Sequence, residues 1–388
     1  MPTEEGNAYS EGLRRIDQCR RRGGERLDLD GLRLNALPPE IGGLESLKWL
    51  SVSYNRLHTL PPEITTLRSL ISLNAGDNEL SALPQNLKDL EALTSLHLQN
   101  NAFDALPPAV FNLKALTDLC LTDNRLTGLP PEFEQLQGLT RLDLARNQFT
   151  EFPAVVTKLR SLTNLNLSGN ALAEVPREIG ELKGLRSLFL SDSQIADLPP
   201  EMGRLSGLMT LLLNGNRLSR LPAETGNLHS LETLTLAHNQ LSVLPPETGG
   251  LTALKELDLS GNLLQSLPPE FRKLRGLESL NLGLNLFTAM PPEIGSLRAL
   301  TRLYLHGNRL ASLPPEIGHL TTLRSLWLSD NALSSLPADL DYLPVLTELE
   351  LDGNPCLGMS SHALRNHAQE VLRHYWEMHP EIRRDGSE

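Results

Sequence analysis

Apolar residues recur along most of the chain with a constant period of 23 residues. Fourteen complete repeats of the pattern LxxLxLxxNxLxxLPxxhxxLxx, in which h is apolar, fill residues 24–345, and a partial repeat follows at 346–357. In the repeat that begins at Leu300, Leu303 and Leu305 alternate with outward-facing residues, which is typical of a β-strand with one buried face. A period of this size predicts a solenoid, in which each repeat buries its leucines against its neighbours.

Two other positions of the repeat are nearly constant. Asparagine stands at the ninth position in 13 of the 15 repeats, and the exceptions are Leu32 and Ser193. A buried amide at the end of each strand can bond backbone groups of its own turn and of the adjacent repeat. Serine is shorter and offers fewer hydrogen bonds, so we expect looser packing or a water at Ser193. Every complete repeat also carries a proline after an apolar residue, which predicts an extended stretch or a short helix on the convex side.

Both ends of the repeat array require polar caps, because the terminal leucines would otherwise meet water. Ser10 is predicted as the N-cap of the first cap helix, with Leu13, Ile16 and Cys19 on its buried face. Five apolar residues at helical spacing predict the buried face of the second cap helix: Leu364, Ala368, Val371, Leu372 and Tyr375. The predicted segments are a flexible N-terminus (1–9), a cap helix (10–23), the repeats (24–357), a second cap helix (358–378) and a flexible tail (379–388).

The composition narrows the class of protein. A net charge of −12 argues against non-specific nucleic-acid binding. The arginines of the first cap helix are expected to form a solvated face, and the alternative is that they dock an acidic partner or nucleic acid. No apolar run approaches the length of a membrane span, and the acidic N-terminus does not resemble a cleavable signal peptide. The three cysteines are scattered, which favours a reducing compartment. We therefore expect a cytoplasmic monomer, or export into a host cell by a route without a cleavable signal.

Several stretches resemble a known family. The run RLDLDGLRLNALPPEI at residues 26–41, after an arginine-rich helix, resembles the opening of bacterial Roco-type leucine-rich repeat domains. The 23-residue repeat is similar to the class shared by plant Ras-group proteins and animal Ras-pathway scaffolds, and DGNPC at 352–356 resembles the close of such arrays. The resemblance covers about residues 10–378 and implies an α/β leucine-rich repeat solenoid, a curved horseshoe with a parallel sheet on its concave face. It implies the recognition half of such proteins, since no GxxxxGK[ST] phosphate loop occurs.

The first candidate binding patch lies in the column of residues that point away from the buried leucines. Tyr304 and Trp327 are at the same position of adjacent repeats, Arg302 and His306 flank Tyr304, and Leu284 stands at the exit of the preceding strand. Tyrosine, tryptophan and arginine are enriched in protein-binding hot spots. We therefore expect a protein partner to bind here. The alternative is that the two aromatic residues only stack laterally and stabilise the sheet.

The surroundings of this patch suggest what a partner would need. Gly283 and Ser329 are expected to lie beside His306 and to leave room for an inserted side chain. The final strand is acidic on the same face, with Glu348, Glu350 and Asp352. A partner that spans the patch and this edge would need a basic residue beside its apolar anchor.

Two further patches are weaker candidates for protein binding. One consists of Phe189, Met209 and Leu212, which are large and apolar where the exposed column is otherwise mixed. The other consists of Trp49 and Tyr54, which could instead pack under the first cap helix.

The chain offers little chemistry. Cys120 has His97 at the same position of the preceding repeat, but Asp118 and Asp143 flank the thiol and would raise its pKa, which opposes activation. The histidines near the C-terminus have spacings of 5, 7 and 5 that do not suit a metal site: His362, His367, His374 and His379. We expect no enzyme activity, no cofactor and no metal. The sequence predicts a protein-binding scaffold, with a bacterial effector that targets a host protein, or an adaptor of a small GTPase, as the alternatives.

Overall fold

The computed structural model describes residues 4–354, 367–380 and 382. The chain forms two compact units, an N-terminal unit, Met1–Phe189, and a C-terminal unit, Leu190–Glu388. Both units consist of three-residue parallel strands that alternate with five-residue 3-10 helices, which is the leucine-rich repeat solenoid predicted from the sequence.

The N-terminal unit begins with a helix and continues with eight strands. The helix is α1 (Glu4–Arg21). The strands are β1 (Arg26–Asp28), β2 (Trp49–Ser51), β3 (Ser72–Asn74), β4 (Ser95–His97), β5 (Asp118–Cys120), β6 (Arg141–Asp143), β7 (Asn164–Asn166) and β8 (Ser187–Phe189). The 3-10 helices are Pro39–Gly43, Pro62–Thr66, Gln85–Asp89, Pro108–Asn112, Pro131–Gln135, Ala154–Lys158 and Arg177–Glu181.

The C-terminal unit has seven strands and ends with a helix in its described part. The 3-10 helices are Pro200–Arg204, Ala223–Asn227, Pro246–Gly250, Pro269–Lys273, Pro292–Ser296, Pro315–His319 and Ala338–Tyr342. The strands are β9 (Thr210–Leu212), β10 (Thr233–Thr235), β11 (Glu256–Asp258), β12 (Ser279–Asn281), β13 (Arg302–Tyr304), β14 (Ser325–Trp327) and β15 (Glu348–Glu350). The final helix is α2 (Ala368–Met378).

The strand register follows the repeat length. Within each unit every residue of a strand pairs with the residue 23 positions later, as Leu303 does with Leu326. The central leucine of each strand is buried, while its two neighbours face away from the core, as predicted. Each 3-10 helix follows a proline whose φ lies near −65°, for example Pro222, since the ring already holds the conformation that the helix start needs.

The ninth-position asparagines form a hydrogen-bonded ladder. Asn262 shows the pattern: its Oδ1 accepts from the backbone N–H of Leu241 at 3.0 Å, and its Nδ2 donates to the carbonyl of Leu236 at 2.9 Å. Both of these residues belong to the preceding repeat. Nδ2 also lies within 3.2 Å of the carbonyls of Leu259 and Ser260 in its own repeat. The predicted role of the buried amide is therefore confirmed.

All thirteen asparagines bond both the preceding repeat and their own: Asn55, Asn78, Asn101, Asn124, Asn147, Asn170, Asn216, Asn239, Asn262, Asn285, Asn308, Asn331 and Asn354. Leu32 replaces asparagine in the first repeat, which has no earlier repeat to bond. Ser193 is different, because its buried Oγ has no hydrogen-bond partner among the described residues.

The eighth position of every repeat has a left-handed backbone, with φ between 49° and 75°. Eleven of these fifteen residues are glycine, aspartate or asparagine, which tolerate this conformation best: Gly31, Asp77, Asn100, Asp123, Gly169, Asp192, Gly215, Gly261, Gly307, Asp330 and Gly353. The remaining four are Tyr54, Arg146, His238 and Leu284. A large side chain at this position costs roughly 1–2 kcal/mol relative to glycine, so these four are strained.

The first cap helix starts earlier than predicted. It begins at Glu4, and the hydroxyl of Ser10 donates to the carbonyl of Gly6 at 2.7 Å, one turn back within the helix. Ser10 is therefore not an N-cap, because its hydrogen bond is satisfied by a helical carbonyl. Ile16 and Cys19 are buried as predicted, whereas Leu13 is only half-buried.

The second cap helix covers the last strand. Ala368, Val371, Leu372 and Tyr375 are buried, as is Trp376. The Tyr375 hydroxyl accepts from the backbone N–H of Leu336 at 2.9 Å, and Trp376 Nε1 donates to Asp341 at 2.8 Å. Residues 355–366, which include Leu364, lie outside the described residues. Across the described parts of the chain, no helix is both long enough and apolar enough to cross a membrane.

Candidate functional site

The exposed face of the sheet in the C-terminal unit carries a group of large side chains, here called the aromatic patch: Leu284, Arg302, Tyr304, His306 and Trp327. Tyr304 on β13 and Trp327 on β14 are paired in register, and their rings meet edge to face with centroids 4.9 Å apart and planes at 90°. The His306 ring lies 6.3 Å from that of Trp327. Trp327 remains 39% exposed. The predicted contact between the two aromatic residues is therefore present, and it leaves a large aromatic surface open to a partner.

His306 occupies the space that was expected to be empty. A β-carbon added at Gly283 would collide with the His306 imidazole, so the glycine accommodates the ring and leaves no room for a partner's side chain. His306 Nδ1 is buried and has no hydrogen-bond partner among the described residues. The prediction of an open slot above Gly283 is wrong, because a residue one repeat away already fills it.

Leu284 is the most exposed apolar member of the patch. Its side chain is 51% exposed and its φ is 55°. The side chain lies against Gly307, the residue at the same position of the next repeat. The sequence shows the exposed leucine but not its strain. The sequence feature that indicates the strain is the strong preference for glycine, aspartate and asparagine at the eighth position of the repeat.

Arg302 is not a free cation. Its Nη2 lies 3.4 Å from a carboxylate oxygen of Glu256, two strands away, and its Nε lies 3.4 Å from the Ser279 hydroxyl. Both partners in the ion pair are about half exposed, so the pair contributes little to stability. Arg302 therefore already has a partner on the sheet.

One side of the aromatic patch is acidic. Glu350 on β15 is the register partner of Trp327, and Glu348 accepts a hydrogen bond from Ser325 at 2.6 Å. Asp352 follows in the same chain segment. We call Glu348, Glu350 and Asp352 the acidic edge. Several carboxylates beside an aromatic surface form a favourable environment for a cation.

The residues of the second predicted patch belong to different compact units. Phe189 ends β8 in the N-terminal unit, where it is half-buried and lines a cavity of 260 Å³. Met209 and Leu212 belong to the C-terminal unit, where Met209 is 38% exposed and Leu212 is half-buried. All three are accessible at least in part.

One residue of the third predicted patch, Trp49, already contacts a cation. The Arg26 guanidinium lies 4.4 Å above the Trp49 ring, so this half-buried tryptophan already has a cation–π partner. Tyr54 is 67% exposed and has a φ of 56°. Tyr54 thus shares with Leu284 both the strained backbone and the exposed side chain.

The only thiol on the exposed sheet face of the described chain is that of Cys120. Burial raises its pKa, and the charges of Asp143 and Asp118 raise it further. Its Sγ lies 3.7 Å from the Thr122 hydroxyl, while His97 lies 3.6 Å from Asp118. A thiol with a raised pKa is a poor nucleophile at neutral pH, so this arrangement does not activate Cys120.

Among the residues that the structure describes, no group of three or more histidine, cysteine, aspartate or glutamate side chains could hold a metal ion. His362 lies outside those residues.

The chain belongs to the leucine-rich repeat family. The leucine-rich repeat pattern matches residues 45–103, 91–149, 114–172, 229–287, 252–310 and 298–355. A leucine-rich repeat region pattern matches residues 156–242. Families with this fold generally act as protein-interaction modules.

The chain is similar to several solved structures. A leucine-rich repeat protein of Leptospira interrogans is 36% identical, with coverage of 93% of this chain and 96% of its own, and a TM-score of 0.83. The plant peptide hormone receptor RGFR1, solved in complex with RGF2, is 28% identical over 86% of this chain and 64% of its own, with a TM-score of 0.69. An internalin of Listeria monocytogenes shares the fold, with 20% identity, coverage of 90% and 97%, and a TM-score of 0.67. A search of curated proteins gives no match.

Proposed function

We propose that this chain is a non-catalytic protein-interaction module whose partner binds the aromatic patch on the exposed face of the sheet. The observation that carries the proposal is Leu284, a large exposed apolar side chain held in a left-handed conformation in the repeat before that of Tyr304. Neither the exposure nor the strain helps the fold. Strain of this kind is concentrated at functional sites, where the cost is offset by binding.

The charges around the patch define the partner that would fit. The acidic edge adjoins Trp327, so a partner segment with a lysine or arginine beside an apolar anchor would match both surfaces. The structure of RGFR1 in complex with RGF2 supports recognition of a partner by a fold of this kind. We therefore propose a basic, partly apolar protein segment as the occupant.

Partner capture followed by affinity measurement tests this proposal. The wild-type chain would first isolate its partner from a lysate, and the purified partner would then be titrated against variants. Tyr304→Ala with Trp327→Ala should lower the affinity roughly 30-fold or more, because truncation of a binding hot spot costs about 2 kcal/mol or more. Glu350→Lys should also weaken binding, and most strongly at low salt.

The controls separate this patch from the other candidates. Trp49→Ala removes an aromatic residue from the sheet face of the N-terminal unit and should leave the affinity unchanged. Phe189→Ala and Leu212→Ala should do the same. Full affinity in the Tyr304/Trp327 double variant, with thermal melts showing that it is folded, would refute the aromatic patch as the binding site.

The biological setting is part of the same proposal. The 36% identical relative from Leptospira supports a bacterial origin of the type suggested by the Roco-like opening of the array. We propose a cytoplasmic monomer that acts by binding alone. If the chain is an effector that reaches a host protein, its partner should be captured from a host lysate. If it is an adaptor of a small GTPase, the captured partner should bind it in a nucleotide-dependent manner.

A further inference from the structure

A cluster of basic side chains, three of them arginines, lies on the side of the C-terminal unit that carries the 3-10 helices. Arg272, Arg275, Arg298 and His319 line a cavity of 580 Å³ together with Gly295 and Ser296. No carboxylate is among these lining residues, although the whole chain has a net charge of −12. We call this site the cationic cavity. It is separate from the aromatic patch, and its function does not depend on the proposed function.

The repeats provide an internal comparison for these arginines. Arg160, at the twenty-second position of its repeat, bonds Glu181 of the next repeat with an N–O distance of 2.8 Å. Arg298 also stands at the twenty-second position, and the residue that corresponds to Glu181 is His319. Arg275 stands there too, and its corresponding residue is Ser296. The carboxylate that neutralises Arg160 in the N-terminal unit is thus replaced by serine and by histidine in two consecutive repeats of the C-terminal unit.

The replacement leaves the arginines without counter-charges. Within the described residues, Arg272, Arg275 and Arg298 form no ion pair, whereas Arg160 forms one. Guanidinium groups that are brought together without carboxylates repel one another, so an anion between them would be strongly favoured. The planar fork of each guanidinium matches the oxygens of a phosphate group, and the Ser296 hydroxyl can add a donor.

We propose that the cationic cavity binds a ligand that carries more than one phosphate group. A single carboxylate would not neutralise three guanidinium groups. The cavity volume of 580 Å³ falls in the range of small-molecule sites, which is about 300–1,000 Å³. Two sources share this chemistry: a free polyphosphorylated small molecule and the headgroup of a phosphoinositide.

Calorimetric titration of the full chain with inositol hexakisphosphate tests the site. The expected result at near-physiological salt is saturable binding with one ligand per chain. Arg275→Gln combined with Arg298→Gln should lower the affinity at least about tenfold, which corresponds to about 1.4 kcal/mol. The matched control is Arg160→Gln, at the same repeat position, which should leave the affinity unchanged. All three arginines are exposed, so the variants should fold, and thermal melts would verify this.

Flotation with lipid vesicles distinguishes the two sources. Phosphatidylcholine vesicles with and without phosphatidylinositol bisphosphate would be mixed with the wild-type chain and the double variant. If the wild-type chain floats only with vesicles that contain the phosphoinositide, and the double variant does not, the ligand is the lipid headgroup. Calorimetric binding without recruitment assigns the free molecule. The proposal is overturned by the absence of saturable calorimetric binding, or by equal losses in the double variant and Arg160→Gln, which would indicate diffuse electrostatic attraction.

Discussion

The side chain of Leu284 lies against Gly307, and both residues occupy the eighth position of adjacent repeats with φ values of 55° and 63°. Glycine adopts this conformation without cost, whereas leucine does not. The same backbone geometry therefore holds a strained residue and an unstrained one side by side, and the strained one is exposed.

Replacing Leu284 by asparagine should relieve the strain. Asn100 already occupies the eighth position of its own repeat with a φ of 51°. We expect Leu284→Asn to raise the free energy of unfolding by about 0.5–1 kcal/mol, after allowance for the lost contact with Gly307. Chemical denaturation measures this, and His238→Asn is the matched control, since it should give a similar gain. Under the proposed function only Leu284→Asn should weaken partner binding. A loss of stability in both variants would contradict the strain argument.

Removing one member of the asparagine ladder should be costly. Asn262→Ala takes away the acceptor for the Leu241 N–H and the donor to three carbonyls, all of them buried. Because buried backbone groups left unsatisfied cost about 1–3 kcal/mol each, we expect a loss of about 3 kcal/mol in the free energy of unfolding. Urea denaturation is the measurement, and Gln240→Ala, at the exposed position just before Leu241 in the preceding repeat, is the control. A change below about 1 kcal/mol would show that water replaces the amide.

The converse change should stabilise the chain at Ser193. An asparagine there could donate to the carbonyls of Leu190 and Ser191, as Asn216 does to Leu213 and Asn214. It would also remove a buried hydroxyl without a hydrogen-bond partner in the described structure. We expect Ser193→Asn to raise the free energy of unfolding by about 1 kcal/mol, measured by thermal and urea denaturation. Ser193→Ala separates the two contributions, because it removes the hydroxyl and adds no amide.

Glu11 should titrate far below a typical glutamate. Its carboxylate accepts hydrogen bonds from Arg14 at 2.7 Å and Arg15 at 3.0 Å, which lower its pKa from 4.5 to about 2. Since the folded pKa is lowered, the stabilisation is fully present above pH 4.5 and is lost as the pH falls towards 2. Carbon-13 NMR of the Glu11 carboxyl measures the pKa directly. Arg14→Gln should move it back towards 4.5, and an unchanged value would show that Arg14 is not the cause.

Cys120 should react slowly with thiol reagents. Burial is the main cause of its raised pKa, ahead of the charges of Asp143 and Asp118. Alkylation at neutral pH, followed by peptide mass spectrometry, should therefore be slow and should accelerate only at high pH. Asp143→Asn should change the rate little, because it leaves the burial intact. Fast labelling at neutral pH would show that the thiol is activated by a group not yet identified.

The sequence was most informative where the 23-residue period decides the geometry. The period determines which residues are neighbours across strands, so the contact of Tyr304 with Trp327 could be predicted from spacing alone. The buried strand leucines and the asparagine hydrogen bonds follow from the same regularity. The start of α1 could not be predicted in this way, because the Ser10 hydroxyl can either accept from a backbone N–H as an N-cap or donate to a carbonyl inside a helix.

The features that were missed depend on side-chain rotamers or on backbone angles. His306 fills the space above Gly283 because of the direction of its ring, which the column of residue types does not reveal. Arg302 reaches Glu256 across two strands, beyond the nearest-neighbour comparison of adjacent repeats. The cationic cavity lies outside the strand column from which binding residues were predicted. Its sequence signal is the loss of the carboxylate at the twentieth position while arginine stays at the twenty-second.

The asparagine ladder gives the array a direction. Each asparagine serves the repeat before it, so deleting repeats from the C-terminal side removes an acceptor from the last remaining repeat, as loss of Asn354 would for the Leu333 N–H. Deleting repeats from the N-terminal side leaves only an asparagine without its partners in the preceding repeat, and a leucine can replace it, as Leu32 does in the first repeat. Shortened versions of this protein should therefore be trimmed from the N-terminal side, with α1 moved to the new first repeat.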